Sequence, residues 1–261
     1  MQDKLFSVAD QVVLVAGASR GIGRALAEGF AERDAKVVIA GREAETLAQT
    51  AKEISKGRHA VTFEVCDVAK PEDIAKLVKS VIGKFDHIDT LVSVAGVNKR
   101  MKAENYTIEE YDWIVNINLR GAFVVAQAVG RHMIKRRSGS IINVDSLNTY
   151  APLAGVTPYA MSKAGVLMMT RALANEWGKH GVRVNSIAPG FFPTALSRKV
   201  WEQEELVTWA KTNTPLGRLG DVKELVGAAV YLASPASAFV TGQTMRVDGG
   251  VTAGINWPIE L

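Results

Sequence analysis

The 261-residue chain contains one cysteine, Cys66, so it has no disulfide framework, and a reducing compartment is the expected setting. Its histidines, His59, His87, His132 and His180, show no metal-ligand spacing and read as surface or core residues. No apolar run approaches the roughly 18 residues that a membrane-spanning helix needs. The opening stretch, Met1 to Asp10, carries no signal-peptide core. An integral membrane protein is excluded on this basis, and a cytoplasmic one is expected. Charge of one sign is also scarce: the net charge is +4, with Lys and Arg scattered among Asp and Glu. The densest basic cluster, Arg131, Lys135, Arg136 and Arg137, falls where a long helix should end. Cations there complement the helix dipole, so a nucleic-acid partner is not expected. What the chain does have is 48% hydrophobic and 22% charged residues, as a folded globular protein should. No Pro/Ser-rich linker, low-complexity tract or repeat divides it, which favours one domain over residues 1–261.

Short apolar runs alternate with helical patterns from end to end. Val12 to Ala16, Val37 to Ala40, Ala60 to Val65, Thr90 to Val94, Ser140 to Val144, Val182 to Ile187 and Thr244 to Val247 read as strands. Helical stretches run from about Ile22 to Glu32, Ala44 to Ile54, Pro71 onward, Glu109 to Met133, Tyr159 to Trp177 and Val222 to Ala233. Apolar strands alternating with helices predict an α/β fold, a seven-stranded parallel sheet covered by helices on both faces. A less regular segment, 191–219, interrupts the alternation and reads as a substrate lid or as its aromatic packing. In such sheets a ligand sits beyond the carboxyl ends of the strands, where the winding reverses. The informative residues should therefore follow the strands.

The first strand runs into Gly17-Ala18-Ser19-Arg20-Gly21-Ile22-Gly23 and then directly into a helix. Glycines let a backbone approach a pyrophosphate, whose charge is met by N–H groups at the helix N-terminus. Gly17, Ser19, Arg20, Gly21, Ile22 and Gly23 are thus candidates for dinucleotide binding. The same stretch matches Gly-x-Ser-x-Gly, the nucleophile elbow of a hydrolase. That reading needs an oxyanion loop on an earlier strand, yet only sixteen residues precede Gly17. It also needs a partnered late histidine, and His180 has no supporting motif. After the second strand, Gly41 offers no acid for a ribose hydroxyl, while Arg20 and Arg42 can clamp a 2′-phosphate. Glu43 is the one candidate acid, and a first-turn acid also has a dipole explanation. The balance favours NADP, with NAD as the alternative.

Ser146 follows the fifth strand, and Tyr159 and Lys163 lie four apart on the next helix, on one face. Hydride transfer to a carbonyl leaves an alkoxide that must gain a proton. Tyrosine, with a pKa of about 10, is a poor base at neutral pH. A cation about 4–5 Å away contributes about 3–4 kcal/mol at an effective dielectric of about 20, enough to lower that pKa by two to three units. Lys163, together with the positive charge of an oxidised nicotinamide, is therefore expected to bring Tyr159 into range as the acid/base, with Ser146 orienting the same oxygen. Taken alone, a Tyr/Lys pair is equally a feature of any amphipathic helix.

Gly17, Gly21 and Gly23, with Ser146, Tyr159-Ala160-Met161-Ser162-Lys163 and Pro189-Gly190, resemble the short-chain dehydrogenase/reductase family over essentially the whole chain. The resemblance implies a single Rossmann-type domain, NAD(P)-dependent alcohol/carbonyl chemistry on a small molecule, and a homotetramer. It further implies that Asn118 holds a proton-relay water and that Asp67 and Val68 contact the adenine. Ala95 and Gly96 would line the cofactor, Pro189, Gly190 and Thr194 would embrace the nicotinamide, and Tyr159 and Lys163 would meet its ribose. The chain departs from the family pattern at Ala16, often Thr, at Ser93-Val94, usually Asn-Asn, and at Asp145, commonly a second Ser. The Ser93-Val94 change bears on support for the adenosine; a carboxylate at Asp145 could tune the pocket or cap a turn.

Asn98-Lys99-Arg100 follows the fourth strand, at the mouth of the expected cleft. This basic pair, Thr157-Pro158-Tyr159 and the segment 191–219 resemble the gluconate and 2-deoxygluconate dehydrogenase branch, which implies a sugar acid whose carboxylate meets Lys99 and Arg100, with a polyol as the related substrate. A solvated loop explains the same pair. Asn148 and Thr149 beside Ser146 add polarity suited to hydroxyl groups, or hold a turn. A 3-oxoacyl-carrier reductase is the enzymatic alternative, and a non-catalytic dinucleotide sensor is the alternative of another class; an intact Ser-Tyr-Lys set argues against the sensor. The apolar tail Ile255 to Ile259 is expected to pack on a neighbouring subunit.

Overall fold

The computed structural model describes residues 4–195 and 197–254; the tail expected at a subunit contact lies outside them. Strands β1 (Val12–Ala16), β2 (Lys36–Gly41), β3 (Thr62–Val65), β4 (Thr90–Ser93), β5 (Gly139–Val144), β6 (Val182–Pro189) and β7 (Thr244–Val247) form one sheet. Its order is β3-β2-β1-β4-β5-β6-β7, and every pairing is parallel. The winding reverses between β1 and β4, where Ala16 pairs with Ser93. That is the crevice where ligands of such sheets bind.

Strand alternation divides the core into two layers. Val13, Val15, Ile39, Val92 and Ile142 pack in one layer with Leu26 and Phe30 of α1 (Gly21–Ala31), Leu47 of α2 (Ala44–Ile54), and Val226 and Val230 of α9 (Val226–Ala233). Val12, Leu14, Val38, Leu91 and Ile141 face Leu77 of α3 (Pro71–Phe85), Val125 and Val129 of α5 (Ala122–Arg136) and Leu173 of α6 (Thr157–Trp177). Each fully buried aliphatic contributes about 1.5–3 kcal/mol, so the strands of the switch point are firmly anchored in both layers.

The helix expected over Glu109 to Met133 is present as one helical run with a π turn inside it. A capping box between Thr107 and Glu110 starts α4 (Ile108–Val115), the π turn occupies Asn116–Gly121, and α5 follows without a gap. Two contacts lie at the π turn. The Asn118 side chain binds both backbone polar groups of Val97, at 2.8 and 2.9 Å. Gly121 passes so close to the Val68 carbonyl that a Cβ would sit 2.8 Å from it. Wider turns of this kind recur at functional sites, where they re-aim a side chain.

Segment 191–219 folds onto its own small core. Phe191 meets Trp201 of α7 (Arg198–Trp201) and Trp209 of α8 (Glu204–Thr212) edge-on, each at 5.8 Å between ring centroids. The aromatics there are packing, with Ala210 and Leu147 buried beneath them. No helix among the described residues is long and apolar enough to cross a membrane.

Candidate active site

The glycine turn is shaped by contacts that exclude a side chain. Gly17 (φ +94°) lies against Ala95, whose backbone N would be 2.5 Å from a Cβ, and a Cβ on Gly23 would be 2.1 Å from the Gly17 carbonyl oxygen. Gly21 (φ +58°) opens α1 and faces Thr194, so the start of the 191–219 segment touches the turn. Arg20 provides no side-chain cap, and no acid stands in the first turn of α1. The initial N–H groups of a helix have no partner within it. Here they meet neither a capping side chain nor a neighbouring carboxylate, so an anion can use them. A cradle that would reject a Cβ, joined to an open helix N-terminus, fits a dinucleotide pyrophosphate.

The same crowding links the turn to the catalytic candidates. Beyond Ala95, a Cβ on Gly96 would lie 3.4 Å from Asn118 Oδ1 and 3.8 Å from Lys163 Nζ. Asn118 Nδ2 also donates to Ser162 Oγ at 3.1 Å, so β4, the π turn and α6 are tied through one buried amide. Both amide hydrogens of Asn118 are thereby used, and a relay water would have to be met by its carbonyl groups. Ser146 Oγ accepts from the Asn148 backbone N at 3.1 Å and from Asn148 Nδ2 at 3.2 Å, which directs its own proton to the Tyr159 phenol, with which it hydrogen-bonds. Lys163 Nζ stands 5.8 Å from the centroid of the Tyr159 ring and donates to the Val144 carbonyl at 2.7 Å.

In the protein alone, burial dominates the electrostatics of the site. Tyr159 is held above the usual phenol pKa, chiefly by burial; the Ser146 hydrogen bond and the Arg100 guanidinium oppose that shift, and Asp145 reinforces it. Burial lowers Lys163 to about 8, against the pull of Asp145. Asp145 itself is raised to about 6 by burial. The charge expected to lower Tyr159, that of Lys163 together with the oxidised nicotinamide, is complete only when the cofactor is bound.

The other candidates lie around this centre. Pro189 ends β6, and Gly190 packs so tightly that a Cβ would be 2.6 Å from the Asp248 Cα. Asp67 Oδ1 accepts from the Ala69 N–H at 3.0 Å, and this turn carries Val68. Arg42 is exposed and forms no ion pair among the described residues, while Arg20 reaches Glu43 at 3.4 Å. Glu43 is thus partly engaged by the cation expected at a phosphate. Lys99 is ion-paired with Glu110, the same residue that completes the capping box of α4. Arg100 makes no such pair among the described residues. The sequence reading missed Glu110, which patterned as an ordinary first-turn acid, and Ser162, whose place beside Lys163 in the Tyr-to-Lys motif was the available signal.

A cradle for a dinucleotide at the switch point, with Ser146, Tyr159 and Lys163 beside it, defines a nicotinamide-dependent oxidoreductase, and the chain belongs to the short-chain dehydrogenase/reductase family. The family model described as enoyl-(acyl carrier protein) reductase matches residues 17–252. Among curated relatives, the chain is 41% identical to the gluconate 5-dehydrogenase of Gluconobacter oxydans, over 96% of this chain and 98% of that one. It is 39% identical to a 3-oxoacyl-(acyl-carrier-protein) reductase of Vibrio cholerae, over 92% of this chain and 97% of that one. Among solved structures, a gluconate 5-dehydrogenase from Burkholderia cenocepacia in complex with NADP and tartrate is similar at a TM-score of 0.93 and 37% identity, covering 97% and 99% of the two chains.

Proposed function

We propose that the chain interconverts a secondary alcohol and a ketone on a sugar acid, using NADP(H). The observation that carries this reading is the position of Arg100: an exposed guanidinium without an ion-pair partner among the described residues, close enough to Tyr159 to act on its proton. A substrate carboxylate held there would bring a carbonyl of the same small molecule toward Tyr159 and Ser146. Arg42 supports NADP over NAD, since a free guanidinium suits a 2′-phosphate. The relatives support the same choice, one named gluconate 5-dehydrogenase and one crystallised with NADP and tartrate, a hydroxy acid.

When bound, the nicotinamide supplies or accepts the hydride. In the reducing direction Tyr159 Oη gives its proton to the carbonyl oxygen, and the Ser146 hydroxyl, which bonds to Tyr159 in the protein alone, turns to donate to that same oxygen. Lys163 keeps N–H groups beyond the one on Val144 for the cofactor ribose. Asn118 braces Val97, and with it the loop that carries Arg100. Asp67, Val68, Ala95 and Gly96 are assigned to the cofactor's adenosine side and middle, and Pro189, Gly190 and Thr194 to its nicotinamide. The 39% identity to a 3-oxoacyl reductase favours a second reading, in which an acyl thioester takes the place of the sugar acid.

The test is the rate of NADPH and NADH oxidation with 5-keto-D-gluconate, a neutral ketose and a 3-oxoacyl thioester. NADPH with 5-keto-D-gluconate should have the highest kcat/KM. A preference for the thioester would overturn the sugar-acid assignment, and a preference for NADH would overturn the cofactor assignment.

A further inference from the structure

Between β5 and α6, polar groups are arranged along one stripe. Strand alternation puts Asn143 and Asp145 on the same side of the chain. On α6, Lys163 and Thr170 lie seven residues apart, about two turns. Asn143 Nδ2 donates to Thr170 Oγ1 at 2.9 Å. One step along, Asp145 and Lys163 are only 2% and 4% exposed. Yet they do not bond to each other. The Thr149 hydroxyl donates to Asp145 Oδ1 at 2.6 Å, and Lys163 Nζ donates to the Val144 carbonyl at 2.7 Å. Asp145 Oδ2 is buried without a hydrogen-bond partner among the described residues.

A lone carboxylate oxygen in the interior is costly, and a Ser or Asn could hold the same turn. The Asp145 backbone N–H is satisfied separately by the Ile187 carbonyl at 2.7 Å. The charged and titratable groups facing this carboxylate are the Lys163 ammonium and the Tyr159 phenol, both from α6, with Arg100 acting on Tyr159 from the loop after β4. Around Lys163, Asp145 is the one charged group that opposes the effect of burial.

We propose that Asp145 is a positioning residue, the buried counter-charge that keeps Lys163 an ammonium while each of the two is tethered elsewhere. Because the pair attract through space and not by contact, the remaining N–H groups of Lys163 stay free for the dinucleotide and for Tyr159. The inference rests on the reading of the site given above. Its sign follows from the opposed influences: without the carboxylate, burial acts alone on Lys163, and the ammonium loses its proton at lower pH.

The measurement is an NMR titration of the full chain labelled in its lysine side chains, with the Lys163 resonance assigned by its loss in Lys163→Arg. The wild type should titrate at about 8. In Asp145→Asn, and in Asp145→Ser as a second and smaller replacement, the midpoint should fall by about one pH unit. An unchanged midpoint in either cooperatively folding variant overturns the proposal. The readout needs no turnover: a shifted midpoint in a protein that reduces no carbonyl would sink the functional reading and leave this one standing, and the converse result would do the reverse.

Discussion

Ser146, Ser162, Lys163 and Asp145, on the wall made by β5 and α6, are each no more than 6% exposed, and almost every polar atom among them has a named partner. Arg20, Arg42, Lys99 and Arg100, at the rim of the same cleft, are all exposed, and two of them are engaged by nearby glutamates. The two regions differ in what a single side chain can be worth. In the interior, an unmet polar group costs about 1–3 kcal/mol and cannot be rescued by water. At the rim, solvent screens each charge and an exposed pair contributes about 0–1 kcal/mol. The wall is therefore suited to chemistry that must be the same for every substrate, and the rim to discrimination that can be adjusted residue by residue.

The sharpest way to break this contrast is at Tyr159. Tyr159→Phe removes the proton donor and keeps the ring, so kcat should fall by about a thousandfold while the dissociation constant for NADPH, read by fluorescence, stays the same. A variant retaining most of its turnover would mean that the wall does not hold the acid. Next in size is Gly23→Ala. Its Cβ would sit 2.1 Å from the Gly17 carbonyl oxygen, so the turn must shift, and NADPH binding should weaken by about tenfold or more. Gly83→Ala is the control, because a Cβ there meets nothing within 4 Å. That variant should bind NADPH normally and unfold slightly later, since alanine in a helix is preferred by about 0.5–1 kcal/mol.

How much of this was legible in the sequence follows the same division. The parallel sheet was readable because the central strands β1, β2 and β4 are buried on both faces, and the glycine turn because its spacing and its strand-to-helix setting carry their own mechanism. Ser146, Tyr159 and Lys163 were readable as a motif, and they do converge. The long helix after β4 was readable too, but not the π turn inside it. Where that turn falls, Asn118 contacts Val97 and Gly121 passes close over Val68, and neither contact leaves a periodic trace. That Lys163 also donates to the Val144 carbonyl was not legible either, since a spacing of four on a helix does not say which carbonyl the lysine will choose. Lys99 read as free because its partner, Glu110, lies eleven residues on, across a loop.

The rim supplies the smaller effects. Arg42→Ala should raise the KM for NADPH by about tenfold and leave that for NADH unchanged, because the guanidinium has only the 2′-phosphate to lose. Equal effects on the two cofactors would remove Arg42 from the phosphate site and return the choice to Glu43.

The finest adjustment is at Glu110, where two functions of one side chain can be separated. Its carboxylate accepts from the Thr107 N–H at 3.1 Å in the capping box of α4, and it also neutralises Lys99. The hydrogen bond from Lys99, followed by that from Thr107, holds the carboxyl below the usual glutamate range, so it is ionised throughout the neutral region. Glutamine serves a capping box as well as glutamate does, so Glu110→Gln should preserve α4 while releasing the lysine. A released Lys99 would join Arg100 as a second cation facing the substrate carboxylate. The KM for 5-keto-D-gluconate should then fall by about threefold, while that for a neutral ketose stays put. The gain should fade in concentrated salt, where the screening length shrinks to about 3 Å. If the KM for both substrates moves together, Lys99 does not face the substrate, and discrimination at this rim falls to Arg100 alone.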